Sequence, residues 1–231
     1  MNDVPVRPAA TLVVLREASD GLETLLLHRN RRLSFGGGQW VFPGGAVEPA
    51  DEAGSEEQTA RRAAVRETRE ECGLQLPEEA LVPVSHWTTP RPSPKRYATW
   101  FFAASLTADA DRPVQVDGGE IVQHAWYRPE QALAAHQAGD IQMLPPTYIT
   151  LHALAEADSV DAALTHWRRQ PMLRIEPRIA VEGDTVHMLY PGDAGYASGE
   201  ASRPGPRHRC ILGPAGWRYQ RHDGSPTDLI P

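Results

Sequence analysis

Cysteine is almost missing from these 231 residues: Cys72 and Cys210 are too few for a disulfide framework and lack the paired spacing of a zinc site. Long apolar runs are missing as well. None approaches the roughly 20 residues needed to span a bilayer, and residues 1–10 lack the basic-then-apolar layout of a signal peptide, so a soluble, cytoplasmic protein with no membrane partner is expected. Positive charge is in deficit, with a net charge of -7 and a pI near 5.7. That excludes a broad electrostatic footprint for a nucleic-acid backbone, and no nucleic-acid partner is expected. No internal repeat is found. What remains is a chain that is 41% hydrophobic and long enough for one large domain, or one domain with an appendage. Its 21 prolines cluster after residue 83, which favours turns and defined loops over a helical bundle.

Two β-branched and leucine-rich runs, residues 11–15 and 22–28, flank Ser19-Asp20-Gly21 and predict a hairpin. A basic, then glycine-rich stretch (29–38) leads into a short strand at Trp40-Val41-Phe42, stopped by a tight loop at Pro43-Gly44-Gly45. Ser55 and Gln58 have the spacing of a capping box, so a helix starts there; it runs to Cys72, and Gly73 can take a left-handed cap. Further strands are expected at 81–88, 96–104 and 121–127, then a proline-started helix at 129–137 and helical sequence at 148–167 broken near Asp158. Beyond residue 170 the character changes. Residues 178–190 and 208–220, with turns at Gly183-Asp184 and Gly213-Pro214, predict two hairpins joined by a loop at 191–206. The expected organisation is a main domain, 1–170, and a small β-rich extension, 171–231.

The helix carries the chemistry. Residues three and four apart share a face, so Glu67 projects beside Glu70 and Glu71. Two like charges about 6 Å apart repel by roughly 3 kcal/mol at an effective dielectric near 20, and a hard cation removes that penalty. Magnesium, which prefers oxygen ligands and bridges a few carboxylates to substrate phosphates, fits this group. Cys72 at the helix C-terminus has no reason to be an activated thiolate and should pack on the sheet. His28, His86 and His124 lack metal-ligand spacing and are read as structural.

The run Arg66-Glu67-Thr68-Arg69-Glu70-Glu71-Cys72-Gly73-Leu74 resembles the second half of the Nudix box, R-E-U-x-E-E-x-G-U, with Thr68 at the first apolar position. The resemblance implies an α/β fold, an α/β/α sandwich on a mixed sheet. It implies that Glu67, Glu70 and Glu71 hold Mg²⁺ or Mn²⁺ with help from the Gly44 carbonyl, and that water attacks the pyrophosphate of a small-molecule nucleotide. Arg66 would pin a ligand glutamate or balance the cluster. The first half of the box departs from the pattern. Gly45 precedes Arg66 by 21 positions, about seven more than the family's spacing, so the glutamate expected there falls at Asp51 counted forward or Gln58 counted backward, with Glu56 and Glu57 nearby.

The lengthened box, with LLLHRNRRLSFGGGQWVFPGG before it and WTTPRPSPKRYATWFF after it, resembles the branch that includes the peroxisomal coenzyme A diphosphatases. A bacterial coenzyme A signature is matched in part: Leu25, Leu26, Arg29, Gly38 and Phe42 to Gly45 are present, while Leu27, Asn30 and Ser34 depart. Coenzyme A or acyl-coenzyme A is the substrate this implies; ADP-ribose, a dinucleotide or a nucleotide sugar are alternatives, and a catalytically silent nucleotide-sensing module is the alternative of another class. Such sites often take a fourth carboxylate from a loop, as ligand or base; Glu120 is the first candidate and Asp117 the second. Among the basic loop residues Arg29, Arg31, Arg32, Lys95 and Arg96, the first choices to meet substrate phosphates are Arg29 and Arg96. The extension would shape the pocket or an oligomer interface, such as that of a homodimer.

Overall fold

Strand β1 (Val6–Ala18) alternates between two buried faces, with Ala10, Leu12 and Val14 on one and Val13 and Leu15 on the other. Successive strand residues point to opposite sides, so a strand apolar throughout needs cover on both. The computed structural model, which describes residues 4–33, 36–106, 113–214 and 216–222, shows that cover. Ser34, a departure from the coenzyme A signature, lies outside the described residues.

After β1 the chain forms β2 (Gly21–Arg29), β3 (Trp40–Val41), β4 (Gly44–Ala46), α1 (Glu56–Cys72), β5 (Val82–Thr88), β6 (Arg96–Ser105) and β7 (Ile121–Tyr127). Helices α2 (Pro129–Ala138), α3 (Pro145–Leu154) and α4 (Val160–Arg169) follow, then β8 (Leu173–Ile175). The main sheet runs β3-β2-β1-β6-β5-β8, with β4 pairing β1 and β7 pairing β2. It is mixed: β1 pairs β6 in parallel and β2 antiparallel, and β5 pairs β8 in parallel. Helix α1 covers the face of Leu12, Leu25 and Phe102 through Ala60, Ala63, Ala64 and Cys72. Helices α2, α3 and α4 cover the other face through Leu133, Leu151 and Leu164. This is the expected sandwich. Among the described residues no helix is long and apolar enough to cross a membrane.

Three local readings need correction. Gly44 and Gly45, expected in a tight loop, form β4 and pair with Thr11 and Ala10 of β1; the extra backbone hydrogen bonds draw them into the sheet, and a Cβ at position 44 would lie 2.4 Å from the Ala10 carbonyl oxygen. The first strand is longer than the run 11–15, because its N-terminal end is held by β6 from Val6 onward and its C-terminal end by β2 as far as Ala18. β8, too short to show a period, lies beyond residue 170 and yet belongs to the main sheet through β5. The two C-terminal hairpins are as read: β9 (Arg178–Glu182), β10 (Thr185–Leu189), β11 (Arg207–Gly213) and β12 (Gly216–His222) form one antiparallel sheet in the order β12-β11-β10-β9. Tyr190 and Cys210 at this sheet belong to the same apolar cluster as α3 and α4, so the extension shares the main core.

Candidate active site

Ser55 opens α1 by accepting a hydrogen bond from the Gln58 N–H, and Gly73 closes it at φ 75°, in the left-handed region. Between these caps, Ala60, Ala64, Thr68 and Cys72 face the sheet, and Thr68 and Cys72 satisfy their polar hydrogens on carbonyls four residues back. Thr68 at the family's apolar position is thus fully buried with its hydroxyl bonded to the Ala64 carbonyl, which explains why the departure is tolerated. Burial pushes the Cys72 thiol up to about 12, so it is an inert packing group.

With the sheet-facing stripe fixed, Glu67 and Glu71 fall over β4. The Gly44 N–H donates to Glu71 at 2.8 Å, and a Cβ on Gly45 would lie 2.4 Å from Glu67 Oε1, so only glycine lets that carboxylate approach. Arg66 ties the inserted loop to the helix. Its guanidinium donates to Asp51 through Nε and Nη2 at 3.0 Å each, to the Ala46 carbonyl at 2.9 Å, to Glu67 at 2.9 Å and to Glu70 at 3.1 Å. Asp51 itself is buried and accepts the Glu48 N–H across a short 3₁₀ turn, Pro49–Asp51. Of the acidic positions left open by the lengthened box, the forward-counted one, Asp51, is therefore the partner of Arg66.

The three glutamates do not form a symmetrical cage. Glu67 and Glu71 turn toward β4, whereas Glu70 turns to Arg66 and keeps 53% of its side chain exposed. Like charges separate until a positive group stands between them, and here Arg66 is that group. Among the described residues no three acidic, histidine or cysteine side chains stand together as a finished metal cage. The donor set nevertheless fits a hard cation, because it offers carboxylate oxygens whose ionised forms lack compensation. Burial pushes Glu71 up to about 8, against the Gly44 hydrogen bond, and Glu67 and Glu120 add repulsion while Arg29 opposes it. Burial also raises Glu67, partly offset by Arg66. For Asp51 burial acts upward too, but the hydrogen bonds from Arg66 and Glu48 outweigh it and hold the carboxyl below its usual range.

Glu120 reaches this group electrostatically, since its charge acts on both Glu67 and Glu71. Its carboxylate pairs with Arg29 Nη2, and its loop is pinned to β2: the Asn30 N–H donates to the Glu120 carbonyl at 2.8 Å and Asn30 Nδ2 to that of Gly119 at 3.0 Å. Asp117, the second candidate, spends both oxygens on the N–H groups of Glu120 and Ile121, so it shapes the loop and leaves the site to Glu120. Arg29 Nε is buried without a hydrogen-bond partner among the described residues. Arg96 lies elsewhere. It is buried at the start of β6, where Nε donates to the Thr89 carbonyl and Nη2 to Glu176 at 2.6 Å, so it does not join the glutamates. His28 stacks on Trp40, in keeping with a structural part.

A family model described as the NUDIX domain matches residues 5–146. The chain belongs to the Nudix family. A probable Nudix hydrolase of Schizosaccharomyces pombe is 45% identical over 70 residues, which is 30% of this chain and 22% of that protein; the chain thus spans under a quarter of the curated relative it matches. Among solved structures, a Nudix hydrolase from Alicyclobacillus acidocaldarius superposes with a TM-score of 0.64 at 23% identity, covering 73% of this chain and 99% of that one. The NUDIX domain of Shewanella oneidensis NrtR, complexed with ADP ribose, gives a TM-score of 0.50 at 15% identity over 67% of this chain and 88% of that one. At these identities the two structures establish the shared Nudix fold.

Proposed function

We propose that this Nudix protein hydrolyses the pyrophosphate of a nucleoside diphosphate derivative with Mg²⁺ or Mn²⁺, and that coenzyme A or acyl-coenzyme A is its preferred substrate. The observation that carries the reading is the pair of inward carboxylates, Glu67 and Glu71, set against the two side-chain-free residues of β4, with Arg66 gathering Glu70 beside them. Glu67, Glu70 and Glu71 would hold a divalent cation there, which would supply the positive charge that polarises the pyrophosphate, lowers the pKa of the attacking water and offsets charge on the leaving oxygen. The chain's own residues do the rest. Gly44 lets β4 lie close on β1 and Gly45 lets the Glu67 carboxylate approach the sheet, and Arg66 holds Glu67 and Glu70 in orientation. Arg29, whose Nη2 pairs with Glu120, is the guanidinium assigned to a phosphate oxygen, and Glu120 is the carboxylate assigned to accept the proton of the attacking water.

The coenzyme A preference draws on the partial signature, of which Arg29, Gly38, Gly44 and Gly45 are the residues near the site, while Leu25, Leu26 and Phe42 are core residues. The Gly38 N–H donates to the Arg29 carbonyl across the base of the loop between β2 and β3, and Gly44 and Gly45 lie in β4 under the glutamates. Cleavage would yield 3′,5′-ADP and 4′-phosphopantetheine. Product analysis with coenzyme A in ¹⁸O-water and Mg²⁺ tests both parts, with ADP-ribose, dinucleotides and nucleotide sugars as parallel substrates. Coenzyme A turned over with the highest kcat/KM and label in one product supports the reading. Hydrolysis of another member of the panel alone would replace the substrate, and no hydrolysis of any would favour a nucleotide-sensing module.

A further inference from the structure

The loop that carries Glu120 has two glycines at its tip, Gly118 and Gly119, the first at φ 74°, in the left-handed region. A tip of this kind is free to turn its peptide planes unless something grips them. Regular pairing of β2 with β7 stops short of it: the register shifts between His28 and Arg29, and Arg29 with Ile121 is the last pair. Side chains provide the grip instead. Asn30 Nδ2 donates to the Gly119 carbonyl at 3.0 Å, and the Glu120 N–H donates to Asp117 Oδ2 at 2.9 Å. Those two groups are opposite ends of one trans peptide, so the plane between Gly119 and Glu120 is held from both sides and turns only if both bonds break.

The gripping groups are themselves anchored. Asn30 Oδ1 accepts the Arg32 N–H at 3.1 Å, which fixes the amide with its nitrogen toward Gly119, and the Asn30 N–H donates to the Glu120 carbonyl at 2.8 Å. Asp117 Oδ1 accepts the Ile121 N–H at 2.8 Å. Glu120 is thus bonded at its N–H, at its own carbonyl and at the carbonyl before it, while its side chain is 47% exposed and touches Arg29. A carboxylate half in solvent has little packing to direct it, so the backbone beneath it sets its aim. Its charge bears on Glu67 and Glu71, and a turn of its peptide would carry it away from them. Misplacing a reacting group by about 1 Å costs on the order of 10²-fold in rate. Position 30 is also a departure from the coenzyme A signature, whose small residue there has no amide to give.

We propose that Asn30 is a positioning residue for the hydrolysis: with Asp117 at the other end, its side-chain amide locks the Gly119–Glu120 peptide and so aims the Glu120 carboxylate at the glutamate site. This role rests on Glu120 as the acceptor of the water's proton. Two measurements on the full chain test it. The first uses Mg²⁺ and the member of the substrate panel above that the parent turns over fastest, coenzyme A on the reading given. Asn30→Ser keeps an acceptor for the Arg32 N–H but is a bond too short for the Gly119 carbonyl, so it should lower kcat about tenfold or more and leave KM within about twofold. In a Glu120→Gln chain the same substitution should cost nothing further, because the group it aims is already disabled. The second is amide exchange by NMR in the metal-free protein, where the Glu120 N–H should exchange about three- to tenfold faster in Asn30→Ser, the worth of one hydrogen bond. Should that variant fail to fold, Asp117→Ala frees the other end of the same peptide and must show the same loss of kcat. Exchange that does not change, or a loss that adds in full to that of Glu120→Gln, overturns the proposal, as does near-normal kcat in Glu120→Gln. A parent that turns over substrate with a variant that matches it brings down the role of Asn30 alone; a parent inactive on the whole panel brings down the hydrolase reading and this role with it.

Discussion

Arg66 with Asp51 and Arg209 with Asp193 are both forked arginine–aspartate pairs, one beside the glutamates and one inside the C-terminal sheet. Arg209 donates through Nε and Nη2 to the two oxygens of Asp193 at 2.7 and 2.6 Å and through Nη1 to the Ala201 carbonyl; Asp193 also accepts the N–H groups of Gly195 and His208. One charge meets one charge, and the pair is buried with every strong group used. Arg66 instead divides one positive charge among Asp51, Glu67 and Glu70, with Glu71 buried close behind. The first arrangement is electrically complete and the second is short of positive charge. A complete pair holds a fold together, whereas a deficient cluster is left able to take a cation.

The sharpest way to separate them is to remove a carboxylate charge from each. Glu70→Gln should cut pyrophosphate hydrolysis by orders of magnitude while the thermal unfolding transition stays where it was, since Glu70 is half in solvent and its single contact to Arg66 contributes little to stability. Near-normal turnover in steady-state assays would take Glu70 out of the site. Asp193→Ala should do the reverse. Leaving Arg209 buried without its partner costs about 3–5 kcal/mol, a fall in Tm of roughly 10 °C by calorimetry, with activity per folded molecule retained. Asp51→Ala breaks an equally forked pair but leaves Arg66 with Glu67 and Glu70, so its Tm should fall by less than that of Asp193→Ala. Equal falls would mean that the two pairs are energetically alike.

Magnesium itself tests the deficiency. Mg²⁺ or Mn²⁺ should raise Tm by a few degrees, because binding to the folded state alone stabilises it by mass action. In Glu71→Gln that rise should shrink, and the metal-free variant should melt no lower than the parent, since Glu71 buries a carboxylate whose ionised form is penalised by desolvation. An unchanged response to the ion in differential scanning calorimetry would count against Glu71 as a ligand.

How much of this could be read from the chain depended on whether a signal was local. The helix was legible because its caps, Ser55 and Gly73, its small buried stripe and its three glutamates all lie within twenty residues. The residue at the box's glutamate position was not, because the insertion left Asp51 and Gln58 open with Glu56 and Glu57 nearby, and only the fold of the 3₁₀ turn brings Asp51 under the guanidinium of Arg66. Arg96 misled for a related reason. A strand-initial arginine beside a loop reads as exposed, but its fate was decided by Glu176, 80 residues away in sequence on a stretch after β8 too short to show a period.

The smallest expected effect concerns the junction at which the C-terminal sheet meets α3, where the contrast with the glutamate site is one of sign. His152 sits between the rings of Tyr148 and Tyr219, with Nε2 buried and unpartnered among the described residues, and His208 packs on Tyr190 and Tyr219. Burial lowers both imidazoles from their usual value; Glu156 opposes this at His152 and His136 assists it, while at His208 the Pro191 carbonyl and Asp193 oppose it and Arg221 assists it. A base whose folded-state pKa is lowered binds fewer protons folded than unfolded. Stability is then complete above about pH 6.5 and declines as the pH falls below it. The urea midpoint should therefore drop between pH 7 and pH 5. His152→Phe keeps a ring between the two tyrosines and removes the proton-binding nitrogens, so it should flatten part of that drop with no loss at pH 7. A variant with the full acid dependence of the parent would show that the junction tolerates a charge on His152. The electrical contrast between the neutral junction and the cation-hungry cluster on α1 would then have to rest on His208 alone.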